Sequence, residues 1–208
     1  MLVKKQMRAT HERHDRADAT RQSLVVAARS LFGERGYAGT SVEEVVRAAG
    51  VTKGALYHHF RDKDELFRSV VEEVKRDVTV VAGRTFVDAA EAPDPIDTIV
   101  LGCWALIDGF SDPAVQRIAI LDARAVLDAA TRRDLDARYE VALVRGALRR
   151  AMNLGAIVRQ PLAPMAHILA GALAEACALI AEAEDAPAAT KDARAVVASL
   201  LEGLRARE

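Results

Sequence analysis

Apolar positions recur along this chain at spacings of three and four. Between Ser41 and Phe60, Val42, Val45, Val46 and Ala49 fall at i, i+3, i+4 and i+7, one face of a helix. Leu56 and Phe60, four apart, mark a second face, with Val51 just before it. Gly50 stands where the first helix must end, and glycine accepts the left-handed backbone of such a turn. Thr52 is placed to cap the second helix. Thr40-x-x-Glu43 and Ser41-x-x-Glu44 both satisfy the capping-box pattern, so the first helix starts here whichever residue caps it. Upstream, Leu24, Ala27, Ala28, Leu31 and Phe32 face one way on a helix expected over 18–35, stopped by Gly36, with Tyr37 packing back. Downstream, Leu66, Phe67, Val70, Val71, Val74, Val78 and Val81 predict a long helix over 64–87.

The remainder repeats this texture. Glu91-Ala92-Pro93-Asp94-Pro95 is a break. Helices are expected over 95–110 and 112–127. A longer one, capped by Thr131, runs through Tyr139 to about residue 154 and is closed by Gly155. Gln160-Pro161 opens a helix to residue 183 that is apolar or small around most of its circumference. Asp185-Ala186-Pro187 breaks it, and a last helix covers 189–205. A helix apolar nearly all round is buried on more than one side. Its second side is either a dense intramolecular core or another subunit, where two terminal helices from each chain make a four-helix interface. The expected fold class is all-α: a basic arm over 1–15, a three-helix helix-turn-helix domain over 16–63, and a helical domain over 64–208.

Composition agrees with helices: 51 % of the 208 residues are hydrophobic but only 4 % are aromatic. No run of 18 uncharged apolar residues occurs, and the N-terminus is polar and basic, so no membrane span is expected and the expected location is cytoplasmic. Cys103 and Cys177 lack metal-ligand spacing and read as buried free thiols. The net charge of −1 hides an asymmetry. Residues 1–63 carry 12 Lys/Arg against 7 Asp/Glu, and residues 64–208 carry 17 against 23. A basic N-terminal third suits contact with phosphate. Lys4, Lys5, Arg8 and Arg13 give the expected arm a similar use, although a solvated tail has the same composition.

The second short helix is too short to be stable alone, so neighbours must hold it and leave its outer face free. That face carries Lys53, Tyr57 and His58, with Gly54 and Ala55 small enough for close approach. Such a face fits a DNA major groove; an ordinary helical hairpin with a solvated face is the alternative. Lys53 is the candidate for a base edge, Tyr57 and His58 for phosphates. Leu56 and Phe60 are core, and His59 is either core or a backbone contact. Thr52 caps, and Thr40 and Ser41 stand at a helix N-terminus suited to phosphate. No metal is expected, because adjacent His58 and His59 diverge by about 100° on a helix.

Several short segments occur in order: Ala27-Ala28-Arg29-Ser30-Leu31-Phe32, Gly36-Tyr37, Thr40-Ser41-Val42, Ala48-Ala49-Gly50-Val51, Lys53-Gly54-Ala55-Leu56-Tyr57-His58-His59-Phe60, and Lys63 with Leu66-Phe67. Together they resemble the DNA-binding region of the TetR family of bacterial transcriptional regulators. The resemblance covers roughly a quarter of the chain; the rest is similar only in length and helical texture. It implies that Thr40 and Ser41 touch DNA backbone, that Lys63 contacts phosphate, and that the long helix transmits ligand binding. It also implies a homodimer on double-stranded operator DNA, a small-molecule effector and no cofactor. Trp104, Phe110, Tyr139 and Met152 are the candidates to line the effector cavity, with Asp122, Arg124 and His167 as polar anchors. Plain core packing with surface salt bridges is the alternative. The expected function is a repressor released from its operator by ligand; an activator or dual regulator shares every feature. An all-α enzyme or carrier with a vestigial helix-turn-helix is the other class. No nucleophile elbow, phosphate loop, metal-binding helix pair or triad supports it, so no catalytic residue is assigned.

Overall fold

A computed structural model describes the backbone of residues 2–88 and 94–206, and the side chains within those ranges from Ala17 onward. Apart from one isolated bridge between Ile157 and Arg205, every described element is helical. The chain divides into two units, Met1–Val71 and Glu72–Glu208.

In the first unit α1 spans Leu2–Arg35. The expected arm over 1–15 therefore has helical backbone, since no proline or glycine interrupts the chain before Gly33. The side chains of Lys4, Lys5, Arg8 and Arg13 lie outside the described residues. Ser41, rather than Thr40, caps α2 (Val42–Ala49). Its hydroxyl accepts from the Glu44 N–H at 3.2 Å, and the Glu44 carboxylate accepts from the Ser41 N–H at 2.8 Å. Gly50 ends the helix at φ 68°, and Thr52 caps α3 (Lys53–His59) by accepting from the Ala55 N–H at 3.2 Å. Lys63 opens α4 (Lys63–Asp88). Leu24, Phe32, Val45, Leu56, Phe60, Leu66 and Phe67 form the core. Phe67 meets the Phe32 ring at 5.2 Å and the Tyr37 ring at 5.0 Å, both edge-on. These contacts draw the start of α4 into the first unit. The division consequently falls inside α4, between residues 71 and 72, and not at the expected 63/64.

The second unit holds the rest of α4, then α5 (Pro95–Gly109), capped by Asp94. Residues 91–93 of the expected break lie outside the described residues. Asp112 caps a helical run made of α6 (Pro113–Gln116), a π-helical segment (Arg117–Asp122) and α7 (Ala123–Val126). The long helix expected next is two, α8 (Ala129–Arg138) and α9 (Glu140–Asn153), because Tyr139 leaves helical backbone at ψ −83°. Asp128, not Thr131, is the cap: its carboxylate accepts from the N–H groups of Ala130 and Thr131. Gly155 closes α9 at φ 75°. α10 (Leu162–Glu182) packs against α9, α5 and α11 (Ala186–Glu202), and Pro187 sits in the first turn of α11. On α4 it is Ala82 that is buried, while Val81 is exposed. By length and hydropathy α10 is able to cross a membrane, yet half of its most apolar stretch is buried within the unit. Its residues Ile168 and Leu179 are nonetheless 74 % and 60 % exposed, and Val196 and Leu200 of α11 are exposed too.

Candidate nucleic-acid interface and ligand cavity

The first unit presents α3 by its polar side. Leu56 and Phe60 are buried; Thr52, Lys53, Gly54, Tyr57 and His58 are exposed; Ala55 and His59 are half-buried. The division follows from seven residues of helix with only one apolar stripe. Lys53 does not project freely: its ammonium donates to Glu43 at 2.5 Å and lies 5.9 Å from the Tyr57 ring. That bond to Glu43 raises the Lys53 pKa and lowers that of Glu43. Glu44 is also held below the usual carboxylate range, by the Ser41 N–H and then the Ser41 hydroxyl. It pairs with Arg35 at 2.8 Å, tying α2 to the end of α1.

Two expected contact residues are engaged internally. Thr40 is only 2 % exposed, and its hydroxyl is directed at the carbonyls of Gly36 (2.9 Å) and Leu31 (3.2 Å). Its side chain fastens the turn before α2. Lys63 is half-buried; its ammonium donates to the Tyr37 carbonyl at 2.6 Å and sits 3.9 Å from the Tyr37 ring. Tyr37 in turn donates to Asp64, and burial followed by that carboxylate raises the phenol's pKa.

Two cavities in the second unit are lined by described residues. One, about 430 Å³, lies where α4, α5 and α9 meet, on either side of the undescribed residues 89–93, and its wall is mainly apolar. The other, about 290 Å³, is enclosed by α4, α5, α8, α9 and α10 and has polar groups converging on it. Of the seven expected ligand contacts, Phe110 and His167 line this second cavity; the other five line neither. Trp104 faces α11, with the Arg194 guanidinium 5.5 Å from its ring. Tyr139 donates to Glu72 at 3.1 Å, and Arg124 pairs with Glu175 at 3.0 Å. Asp122 and Met152 are half-buried away from both cavities. The side chains of Trp104, Tyr139 and Arg124 are taken up by contacts between helices, which spacing alone does not distinguish from cavity walls.

The residues that sequence reasoning missed are Lys75, Asp136 and Glu140. The Lys75 ammonium donates to Asp136 at 2.8 Å and to Glu140 at 2.9 Å, and is 5.7 Å from the Phe110 ring. Burial lowers the Lys75 pKa, but Glu140 and then Asp136 outweigh it, and the net shift is upward. Burial also raises Glu140, against the pull of Lys75. The signal in the sequence is thin: a lysine inside the Val70–Val78 stripe, and two acids four residues apart. Cys177 lines the same cavity as a thiol whose pKa burial pushes up to about 12. Among the described residues no cluster of metal-ligating side chains occurs.

Comparison with known proteins matches both parts. Residues 24–70 fit the model of bacterial regulatory proteins of the tetR family, and residues 96–204 that of a tetracyclin repressor-like C-terminal domain. Among characterised relatives, the transcriptional repressor Rv1474c of Mycobacterium tuberculosis is 36 % identical over 40 % of this chain and 47 % of its own length. The repressor AcnR of Corynebacterium glutamicum is 32 % identical over 57 % of this chain and 65 % of its own. The matches thus span less than two-thirds of these relatives. A TetR-family regulator from Pectobacterium atrosepticum superposes with a TM-score of 0.79 at 32 % identity, covering 93 % of this chain and 97 % of that one. RolR, solved with its ligand resorcinol, shares the fold at a TM-score of 0.71 and 20 % identity, over 90 % and 89 %. With a C-terminal family model over more than half its length and a relative covered almost entirely, the chain belongs to the TetR family of bacterial transcriptional regulators.

Proposed function

We propose that the chain is a homodimeric repressor that α3 docks on a near-palindromic operator and that a small molecule in the Lys75 cavity releases. The observation that carries this reading is α3 itself: a helix held by Leu56 and Phe60 whose outward residues have no core to serve. Two-fold symmetry would set two such helices into successive major grooves. The exposed apolar residues Ile168, Leu179, Val196 and Leu200 on α10 and α11 supply the dimer face. Lys75 lies on α4, the same helix that begins with Lys63, so an effector acts on the element that opens beside α3. A differential binding free energy of about 3 kcal/mol would change operator affinity about 150-fold. Fluorescence anisotropy with DNA flanking the protein's own gene, across a salt series, followed by random-sequence selection, tests the reading. Selective binding that weakens steeply with salt is expected; a selection that returns no preferred site refutes it.

Two substitutions probe the interface. Lys53 must exchange Glu43 for a base edge on binding. Lys53→Ala should therefore cut the ratio of operator to random-DNA affinity by about tenfold. Glu43→Gln should tighten binding to all DNA, by removing a carboxylate from the phosphate-facing side. Unchanged discrimination in Lys53→Ala, measured by competition anisotropy, would remove Lys53 from the base-reading role.

Gly54 gives a separate test. A Cβ there would meet nothing closer than the Thr52 hydroxyl at 3.9 Å, so the fold itself does not require glycine. Gly54→Ala should stabilise the protein by about 0.5–1 kcal/mol in thermal melts. If DNA backbone passes close to this point, the same variant should bind operator more weakly. Gain on both counts would place Gly54 outside the interface.

A further inference from the structure

We infer that the Lys75 cavity selects an uncharged effector: a compact, mainly apolar molecule whose polar end is a hydroxyl, with amines and carboxylates both disfavoured. This rests on the regulator reading only for the word effector; the binding chemistry follows from the cavity.

The charged side chains on the described wall are two cations, Lys75 and Arg133, and two carboxylates, Asp136 and Glu140, so the wall is balanced. The Lys75 ammonium spends two of its protons on Asp136 and Glu140. The remaining Glu140 oxygen, Oε2, is buried out of a ligand's reach. Arg133 and Asp136 stand three apart on α8, a spacing that makes them neighbours on the helix surface. A cationic ligand that reaches Asp136 therefore also meets Lys75 and Arg133, and an anionic one that reaches Arg133 also meets Asp136. Each incoming charge is met by both signs. Its attraction is largely cancelled while the cost of stripping its water remains.

The wall does offer acceptors beside a donor. Asp136 gives Oδ1 to Lys75 and, partly exposed, keeps Oδ2 to accept. Arg133 gives its Nε proton to the Ala129 carbonyl at 3.1 Å and keeps its terminal nitrogens to donate. His167 Nδ1 lies 2.9 Å from the Ala163 carbonyl, which makes it the donor of the neutral ring and leaves Nε2 an acceptor. A hydroxyl donates and accepts through one atom and so uses both kinds of group, whereas an ammonium only donates and a carboxylate only accepts. Most of the remaining wall is apolar, from Leu106, Phe110, Ile120, Val141 and Leu173. It suits one ring or a short chain, and about 290 Å³ is the small end of the range for ligand pockets. The π-helical segment Arg117–Asp122 contributes Ile120, and single π turns inside helices recur at functional sites.

The test is calorimetry of the full-length protein at neutral pH with probes sharing one aromatic body: 2-phenylethanol, 2-phenylethylamine, phenylacetate and ethylbenzene. The amine and phenylacetate should each bind at least about tenfold more weakly than the alcohol, with ethylbenzene between. Any of the three binding as tightly as the alcohol overturns the proposal, as does absence of alcohol binding at millimolar concentration. Two variants tip the balance in opposite directions and leave Glu140 its Lys75 partner. Asp136→Asn removes a negative charge and should raise the ratio of phenylacetate to amine affinity about threefold; Arg133→Gln removes a positive one and should lower it by about as much, the size expected of partly exposed charges. A ratio unmoved, or moved the other way, in either folded variant also overturns the proposal. Should Asp136→Asn fail to fold by circular dichroism, Arg133→Gln, at an exposed position, reads the same balance. Release of the selected DNA site by the same probes is read separately. Alcohol preference without release sinks the regulator reading and leaves the cavity chemistry standing; release without alcohol preference does the reverse.

Discussion

Lys75→Met is expected to lower the free energy of unfolding by about 3–5 kcal/mol, because it removes the ammonium paired with the buried Glu140 carboxylate. The Lys75 and Glu140 side chains are only 10 % and 12 % exposed, whereas Asp136 is 42 % exposed and stays solvated without its partner. The cost therefore falls on Glu140. Burial already raises its pKa above the ordinary 4.5, and without Lys75 it must rise further. A folded acid with a raised pKa holds its proton more tightly than the unfolded chain does. The deficit of the variant should accordingly be full at neutral pH and shrink as pH falls through the folded value toward 4.5. In the unaltered protein the Lys75 contribution has the opposite window. Its pKa is raised, so the contribution is complete below 10.5 and lost as pH rises through the folded value. Urea titrations at about pH 5 and about pH 7.5 measure the difference. The double variant Lys75→Met/Glu140→Leu should recover most of the loss, since a buried ion pair is replaced by apolar contact. A deficit below about 1 kcal/mol, or one that ignores pH, would show that water reaches Glu140 freely.

The same triad shows why the site was less legible than the fold. The helix-turn-helix is written in local signals: the Ser41–Glu44 capping box, Gly50 at positive φ and the Thr52 cap all act within a few residues. Local chemistry of that kind is readable from a single chain. It did not decide between Thr40 and Ser41, because both offer a hydroxyl three residues before a glutamate; only the turn from Gly36 buries one of them. The break at Tyr139 was hidden for a related reason, since neither proline nor glycine marks it. The cavity depends instead on which helix lies against which. Lys75 and Glu140 are 65 residues apart, and nothing in either neighbourhood announces the other. Trp104 and Phe110 looked alike as bulky apolar residues on one predicted helix, yet one stacks under Arg194 while the other lines the cavity. Phe110 and His167 line the cavity, yet nothing in their own neighbourhoods sets them apart from Trp104, which lines neither.

Phe67→Ala should abolish operator binding without disturbing the second unit. The Phe67 side chain is fully buried and edge-on to both Phe32 and Tyr37, the residues that join the end of α1 to the turn before α2. Truncating a buried phenylalanine costs about 3–5 kcal/mol, the edge-on ring pairs included. The unit over residues 1–71 is small, and its α2 and α3 have eight and seven residues, too few to persist without a frame. A loss of that size is comparable with the whole stability of a domain this short. The expected melt has two transitions, the lower one belonging to the first unit and shifted well below its position in the unaltered protein. Oligomeric state by ultracentrifugation and ligand binding in the Lys75 cavity should remain, because Leu106, Val141, Leu173 and Ile180 pack within the second unit. Hydrogen exchange resolves the outcome residue by residue: protection should fall at Val45 and Leu56 and hold at Leu148 and Leu173. Equal loss of protection in both units would mean that α4, which runs through the boundary, makes them unfold as one.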